Sequence, residues 1–113
     1  MPEEHLPLVA GHIAGHDEVW VAEEAGRILG FLAIDGGKLL AKLYVEPDAQ
    51  NRGVGAALLD QAKTLCPEGL ELWVFQRNEG ARRFYERHGF RPVELTDGAD
   101  NWEKEPDALY AWP

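Results

Sequence analysis

Gln50, Gly53 and Gly55 stand in the stretch AQNRGVGAALLDQA, directly behind an apolar run that ends at Val45. Glycines at the start of an alanine- and leucine-rich segment let backbone N–H groups approach a ligand without interference from Cβ atoms. A helix that begins there presents unpaired N–H groups and the positive end of its dipole. That combination binds anions, phosphate foremost. Two nucleotide signatures are absent. No Lys-Ser or Lys-Thr follows Gly53 or Gly55, as a Walker loop requires, and Ala57-Leu58 interrupts a Gly-x-Gly-x-x-Gly fingerprint. On this stretch alone, a plain helix start with glycines for tight packing is the alternative.

Other residues carry chemistry in principle. Tyr85 offers a phenol, on a segment where Ala81, Phe84, Tyr85 and His88 share one helical face; by itself that pattern reads as core packing. His12 and His16 stand at the spacing by which a helix offers two imidazoles to zinc, yet no glutamate adjoins His12 and no third ligand is evident. They read as surface histidines, and no metal is expected. Cys66, directly before Pro67, reads as a small packed hydrophobe rather than a nucleophile. In TDGADNWEKEPDA, the acids Asp97, Asp100, Glu103, Glu105 and Asp107 form either a solvated loop or a cation-recognising lid. Trp102 would then add an aromatic face for an ammonium group.

The elements that must position these groups follow from periodicity. Leu6, Val9, Ala10 and Ile13 recur at helix spacing, so PEEHLPLVAGHIA is expected as a short helix with Pro2 and two glutamates in its first turn. EVWVAEE (Glu18 to Glu24), RILGFLAID (Arg27 to Asp35) and KLLAKLYVEP (Lys38 to Pro47) are rich in β-formers. The short turns Ala25-Gly26 and Gly36-Gly37 separate them, which predicts an antiparallel meander. A helix from about Gly53 to Cys66, with Val54, Leu58, Gln61 and Ala62 on one face, stops at Pro67. LELWVF (Leu70 to Phe75) is a strand, and NEGARRFYERHG a helix with Asn78 as N-cap and Gly89 as C′ residue. FRPVELT (Phe90 to Thr96) and ALYAW (Ala108 to Trp112) close as strands. This order requires crossovers and at least one parallel pairing. The expectation is one α/β domain, residues 1–113, with a mixed sheet.

Bulk properties narrow the function. Twenty acidic against eleven basic side chains give a net charge of −9, which argues against nucleic acid and suits either solubility or a cationic partner. No apolar run reaches the length of a membrane span, and the first residues lack a signal-peptide pattern. A single cysteine fits a reducing compartment, so the expected location is cytoplasmic.

Gln50-x-x-Gly53-x-Gly55, following a strand that ends in Val45, resembles the pyrophosphate loop of the GNAT superfamily of acyl-CoA-dependent N-acyltransferases. LWVFQRNEGARRFYERHGFRPV is similar to that family's strand, Asn-capped helix and FYERHGF segment. The resemblance runs from Glu18 to Trp112. It implies a mixed, mostly antiparallel sheet with helices on both faces. At its centre Leu39 to Val45 and Leu70 to Phe75 would form a splayed parallel pair admitting the pantetheine arm of acetyl-CoA. It further implies that the backbone of Leu43, Tyr44 and Val45 meets the pantetheine amides. Gln50, Asn51, Arg52, Gly53, Val54, Gly55 and Ala56 would hold the pyrophosphate, Arg52 adding charge, and Asn78 and Arg82 would contact the cofactor.

The implied chemistry is direct acetyl transfer from acetyl-CoA to a primary amine of a small, cationic acceptor. Tyr85 matches the family's tyrosine at the CoA sulfur, and a phenol of pKa ~10 can donate to a thiolate whose conjugate acid lies near ~8.5. Candidates for the general base are Glu23, Glu24, Asp35, Glu46 and His88, or a water chain. The chain departs from the family at its beginning: one short helix is expected before Glu18, so the first strand and its helix would be missing. That would leave Glu18 to Glu24 as an uncovered edge and predicts a homodimer covering it. The rival reading is a non-catalytic acyl-CoA-binding or interaction module on a degenerate form of the fold.

Overall fold

The computed structural model describes residues 6–113. Apolar β-formers divided by two-residue turns build the first part of the chain. Its strands are β1 (Leu8–Gly11), β2 (Glu18–Glu24), β3 (Arg27–Asp35) and β4 (Leu39–Val45). They pair antiparallel in sequence order. Ala25 (φ 52°) with Gly26 (φ 79°), and Gly36 (φ 62°) with Gly37 (φ 72°), supply the two successive left-handed residues that match strand twist at a tight hairpin. Helix α1 (Val54–Leu65) packs on this sheet through buried Val54, Leu58, Leu59 and Ala62. Leu59, rather than Gln61, completes the buried stripe. Gly30 permits the close approach, because a Cβ there would collide with the Tyr44 carbonyl and press on Leu58 Cδ1 at 3.3 Å.

Within the segment expected as a helix, Leu8–Gly11 form strand β1. Leu8 to Gly11 pair with Ala22 to Val19, and the Pro7 carbonyl accepts from the Glu23 N–H at 3.1 Å. Pro7 is the physical reason: it lacks an N–H and biases Leu6 toward extended backbone, so the cross-strand ladder wins over apolar spacing. Pro2, Glu3 and Glu4 lie outside the described residues. β2 therefore has a neighbour on both sides, and the uncovered edge that motivated a homodimer is not at Glu18–Glu24. The edge passes to the four residues of β1. A strand stands ahead of the meander and, among the described residues, no helix does.

This first compact unit ends at Pro67; a second runs from Glu68 to Pro113. The second holds β5 (Leu70–Phe75), α2 (Glu79–Arg87), β6 (Arg91–Leu95) and β7 (Asp107–Trp112). β7, last in sequence, pairs antiparallel with both β5 and β6 and lies between them. β5 and β6 are thus parallel, joined over β7 by α2. Buried Leu70, Leu72, Val74, Phe90, Ala108 and Tyr110 form its core. β6 is exposed throughout and carries Pro92, a residue suited to an edge. β4 closes the sheet of the first unit and β5 opens that of the second, each paired along one edge within its own unit. Among the described residues, no helix is long and apolar enough to cross a membrane.

Candidate active site

The path from β4 to α1 is short and holds few internal backbone bonds. The Glu46 N–H donates to the Leu29 carbonyl at 2.8 Å, and a single 3₁₀ turn, Pro47–Ala49, follows. Asn51 (φ 66°) and Gly53 (φ 83°) are left-handed. No atom lies within 4 Å of a Cβ built on Gly53, so φ rather than space demands glycine there. Gly53 is the N-cap of α1 and contributes no side-chain acceptor, and the first turn carries no acidic residue. The helical ladder begins with the Ala57 N–H on the Gly53 carbonyl at 3.0 Å. The N–H groups of Val54, Gly55 and Ala56 precede that bond and have no intrahelical acceptor, and no carboxylate offsets the dipole. This is an arrangement that fits a diphosphate.

Side chains around the turn are already engaged. The Gln50 amide donates to the Val45 carbonyl at 3.3 Å, closing the end of β4 onto the loop. Arg52 Nη2 reaches the two carboxylate oxygens of Glu24 at 2.9 and 3.1 Å. Arg27 Nη2 donates to Asp48. On β4, Leu43 is half-buried, while Tyr44 is exposed and donates its hydroxyl to Glu46 Oε2 at 2.8 Å.

Asn78, Arg82 and Tyr85 belong to the second unit. Asn78 caps α2 as expected, its Oδ1 accepting from the Ala81 N–H at 3.1 Å. Arg82 is turned inward. Its Nε donates to the Tyr110 hydroxyl at 2.9 Å and its Nη1 to the Gln76 carbonyl at 3.1 Å, while that hydroxyl donates to Glu86 Oε2 at 2.7 Å. Gln76 in turn gives its side-chain amide to the Thr96 and Asp107 carbonyls at 2.8 and 2.9 Å. This network fastens α2 to β7 and the ends of β5 and β6. Sequence reasoning missed it, since all its bonds but the one from Arg82 to Gln76 join residues 20 or more apart; the alternation that buries Tyr110 was the available signal. Tyr85 packs edge-on against Phe84 and Phe90, with ring centroids 5.3 and 5.6 Å away. Burial alone pushes its phenol up to about 12, so the group is fully protonated at neutral pH.

The candidate bases are mostly occupied. Glu24 holds Arg52, and Glu46 accepts from Tyr44. Asp35 accepts from the Asp17 N–H and binds His16 Nδ1, both at 2.9 Å. Those two bonds hold its carboxyl below the usual range and make it a poor base. It also sits at the β3–β4 turn, the opposite end of β4 from the glycine loop. His88 closes the C-terminus of α2 and lies 4.7 Å from the Phe84 ring. His12 and His16 are not on a helix, and no metal-holding cluster occurs among the described residues. Cys66 is buried, and burial raises its pKa, so it packs as an inert thiol.

The acidic tract is organised from within. Asn101 donates to the Glu105 carbonyl at 2.7 Å and to Asp107 Oδ2 at 3.2 Å, and accepts from the Glu105 N–H at 3.1 Å. Trp102 is 94% exposed and covers nothing. A cleft of about 450 Å³ opens beside the tract, lined by Trp73, Glu94, Thr96, Asp97, Asp100, Asn101 and Asp107.

A crossover-built mixed α/β fold with an open, glycine-capped helix start after β4 is the class of protein that these units define. The sequence matches the acetyltransferase (GNAT) domain over residues 15–92, and the chain belongs to that family. It is 36% identical over 111 residues to the peptidyl-lysine N-acetyltransferase YiaC of Escherichia coli (strain K12), covering 96% of this chain and 72% of YiaC. The apo solution structure of YjaB from Escherichia coli matches with a TM-score of 0.73 and 29% identity, over 83% of this chain and 63% of that one. YjaB is also named a peptidyl-lysine N-acetyltransferase, and this chain spans 49% of its length in the sequence comparison. A GNAT acetyltransferase from Elizabethkingia anophelis, solved with acetyl-CoA bound, shares the fold at a TM-score of 0.81 and 16% identity, over 97% of this chain and 99% of that one.

Proposed function

We propose that this chain moves an acetyl group from acetyl-CoA to the primary amine of a cationic acceptor, a lysine side chain being the first candidate. The observation that carries the reading is the start of α1. It is left-handed at Gly53, without a capping side chain and without an acid in its first turn, following directly on β4. Backbone N–H groups from Gln50 to Ala56 hold the diphosphate there, and the Leu43 to Val45 backbone meets the pantetheine amides. Acetyl-CoA supplies the activated thioester. Tyr85 keeps its proton and donates a hydrogen bond to the sulfur as negative charge develops on it. With its phenol near 12 against a thiol near ~8.5, full transfer in the ground state would be uphill by about 5 kcal/mol. The hydrogen bond is therefore the contribution of Tyr85, with proton transfer accompanying bond cleavage. Asn78 contacts the cofactor with the amide that capping leaves over, and Arg82, held by Tyr110 and the Gln76 carbonyl, contacts it beside Asn78.

The cationic acceptor is supported by the net charge of −9 and by the acidic cleft beside Trp73. The names of YiaC and YjaB favour lysine. The test is CoA release, followed with a thiol reagent, over a panel of lysine peptides, polyamines and amino-acid amides. Turnover on lysine peptides supports the reading. Acetyl-CoA binding without turnover on any amine supports the non-catalytic module, which the engagement of Glu24, Asp35 and Glu46 favours.

A further inference from the structure

Two ion pairs of opposite polarity join the β2–β3 hairpin to the glycine loop. Glu24, the last residue of β2, receives Arg52; Arg27, the first of β3, donates to Asp48. Glu24 and Arg27 are cross-strand partners flanking the Ala25-Gly26 turn, so one hairpin end presents a carboxylate and a guanidinium side by side. The loop answers with Asp48 before its left-handed residues and Arg52 just ahead of Gly53. Bonds internal to the loop are few: the Ala49 N–H reaches the Glu46 carbonyl at 2.9 Å and the Gln50 N–H reaches Pro47 at 3.4 Å. Its conformation therefore depends on what holds it from outside.

We propose that Glu24 and Arg27 are positioning residues that clamp the Pro47 to Gly53 loop in its diphosphate-binding conformation. The proposal rests on the reading that this loop holds acetyl-CoA. The two pairs sum to zero charge, so what they add toward an anion is order rather than attraction. Released from the hairpin, the loop would have to be ordered by the ligand at the expense of binding. Each pair is about half exposed, which limits its effect to about two- to fivefold in an equilibrium constant.

The test is calorimetry with CoA and, separately, inorganic pyrophosphate on wild type, Glu24→Gln and Arg27→Gln. The substitutions change charge in opposite directions. The clamp requires both to weaken binding by about two- to fivefold, with the loss in the entropic part. Hydrogen exchange of Gln50 to Gly53 in the free protein should rise in both. Arg27→Asp combined with Asp48→Arg restores a pair of reversed polarity and should recover most of the affinity that Arg27→Asp alone loses. Tighter binding by Glu24→Gln beside weaker binding by Arg27→Gln would show a simple charge effect and overturn the clamp, as would unchanged affinity in both. A wild-type protein that binds neither probe overturns the acetyl-CoA reading itself, a failure distinct from failure of the clamp.

Discussion

The two helices begin in opposite ways. α1 buries four apolar side chains yet starts on a glycine that caps nothing, with no acid in its first turn. α2 has no fully buried residue, only partly buried ones such as Tyr85, and starts on Asn78, whose side chain bonds the Ala81 N–H, with Glu79 in its first turn. The orphan N–H groups of α2 and its dipole are partly satisfied by the chain; those of α1 are not. A helix anchored by packing does not need a cap for stability, and its open end is free to serve a ligand. A helix with no fully buried residue relies more on its cap and on the Arg82–Tyr110–Glu86 network, beside the packing of Tyr85 against Phe90.

The largest expected effect comes from closing the open end. Gly53→Glu puts a side chain at a φ of 83° and a carboxylate where the diphosphate would sit. The strain is about 1 kcal/mol, which packing of α1 tolerates, so circular dichroism should show a folded protein. CoA binding by calorimetry should vanish. Retained affinity would mean that this helix start is not the anion site.

Next is Tyr85→Phe, which keeps the ring contacts with Phe84 and Phe90 and removes the hydroxyl. Once an acceptor is known, kcat should fall on the order of 10²–10⁴-fold while KM for acetyl-CoA stays near wild type. The same group predicts a pH effect. Its folded pKa, near 12, lies above the unfolded ~10, so burial of the neutral phenol contributes stability that is fully present below about pH 10. That contribution, of order 3 kcal/mol, is lost as pH rises toward 12. Tyr85→Phe should lack this alkaline loss in urea denaturation at pH 9 to 11.5. Equal alkaline slopes in the two proteins would show that Tyr85 titrates normally.

Much of this contrast was legible in the sequence. Glu18–Glu24, Arg27–Asp35 and Leu70–Phe75 are strands within the limits that β-forming residues and the intervening turns set, and Asn78 and Gly89 bound α2 as cap chemistry requires. These signals are local. Leu6, Val9, Ala10 and Ile13 satisfy helical spacing, while the strand identity of Leu8–Gly11 depends on partners eight to fourteen residues away; Pro7 is the local warning. The inward turn of Arg82 and the pairing of Arg52 with Glu24 were equally hidden. The spacing of Arg52 from Gly53 is local, whereas its pairing with Glu24 joins residues 28 apart and has no local signal.

Removing the α2 anchor should be costly in stability alone. Tyr110→Phe deletes a hydroxyl that accepts from Arg82 and donates to Glu86 in a side chain with no exposed surface. Hydrogen bonds to charged partners are worth about 1.5–3 kcal/mol, so urea denaturation should register a loss in that range. CoA affinity through the α1 start should be unaffected. A stability change below about 0.5 kcal/mol would show that apolar contacts of Phe90 and Trp112, not this network, hold the second unit together.

The smallest effect separates the two roles given to Asn78. Asn78→Ala removes the side-chain acceptor and should cost about 1 kcal/mol, a large share for a helix with no fully buried residue. Asn78→Ser supplies another good cap and should hold stability within a few tenths of a kcal/mol. Neither variant keeps the amide N–H groups, so if Asn78 also touches acetyl-CoA, both should bind it more weakly and to the same extent. Wild-type affinity in both would leave Asn78 as a cap and nothing else. The corresponding change at the other helix runs the opposite way. Gly53→Ala brings a strain of about 1 kcal/mol from the left-handed φ, so its stability loss should resemble that of Asn78→Ala. Its loss of CoA affinity should be much larger, because the strained residue lies at the anion site itself. Matched stability losses with unequal binding losses are what an open and a closed helix start require.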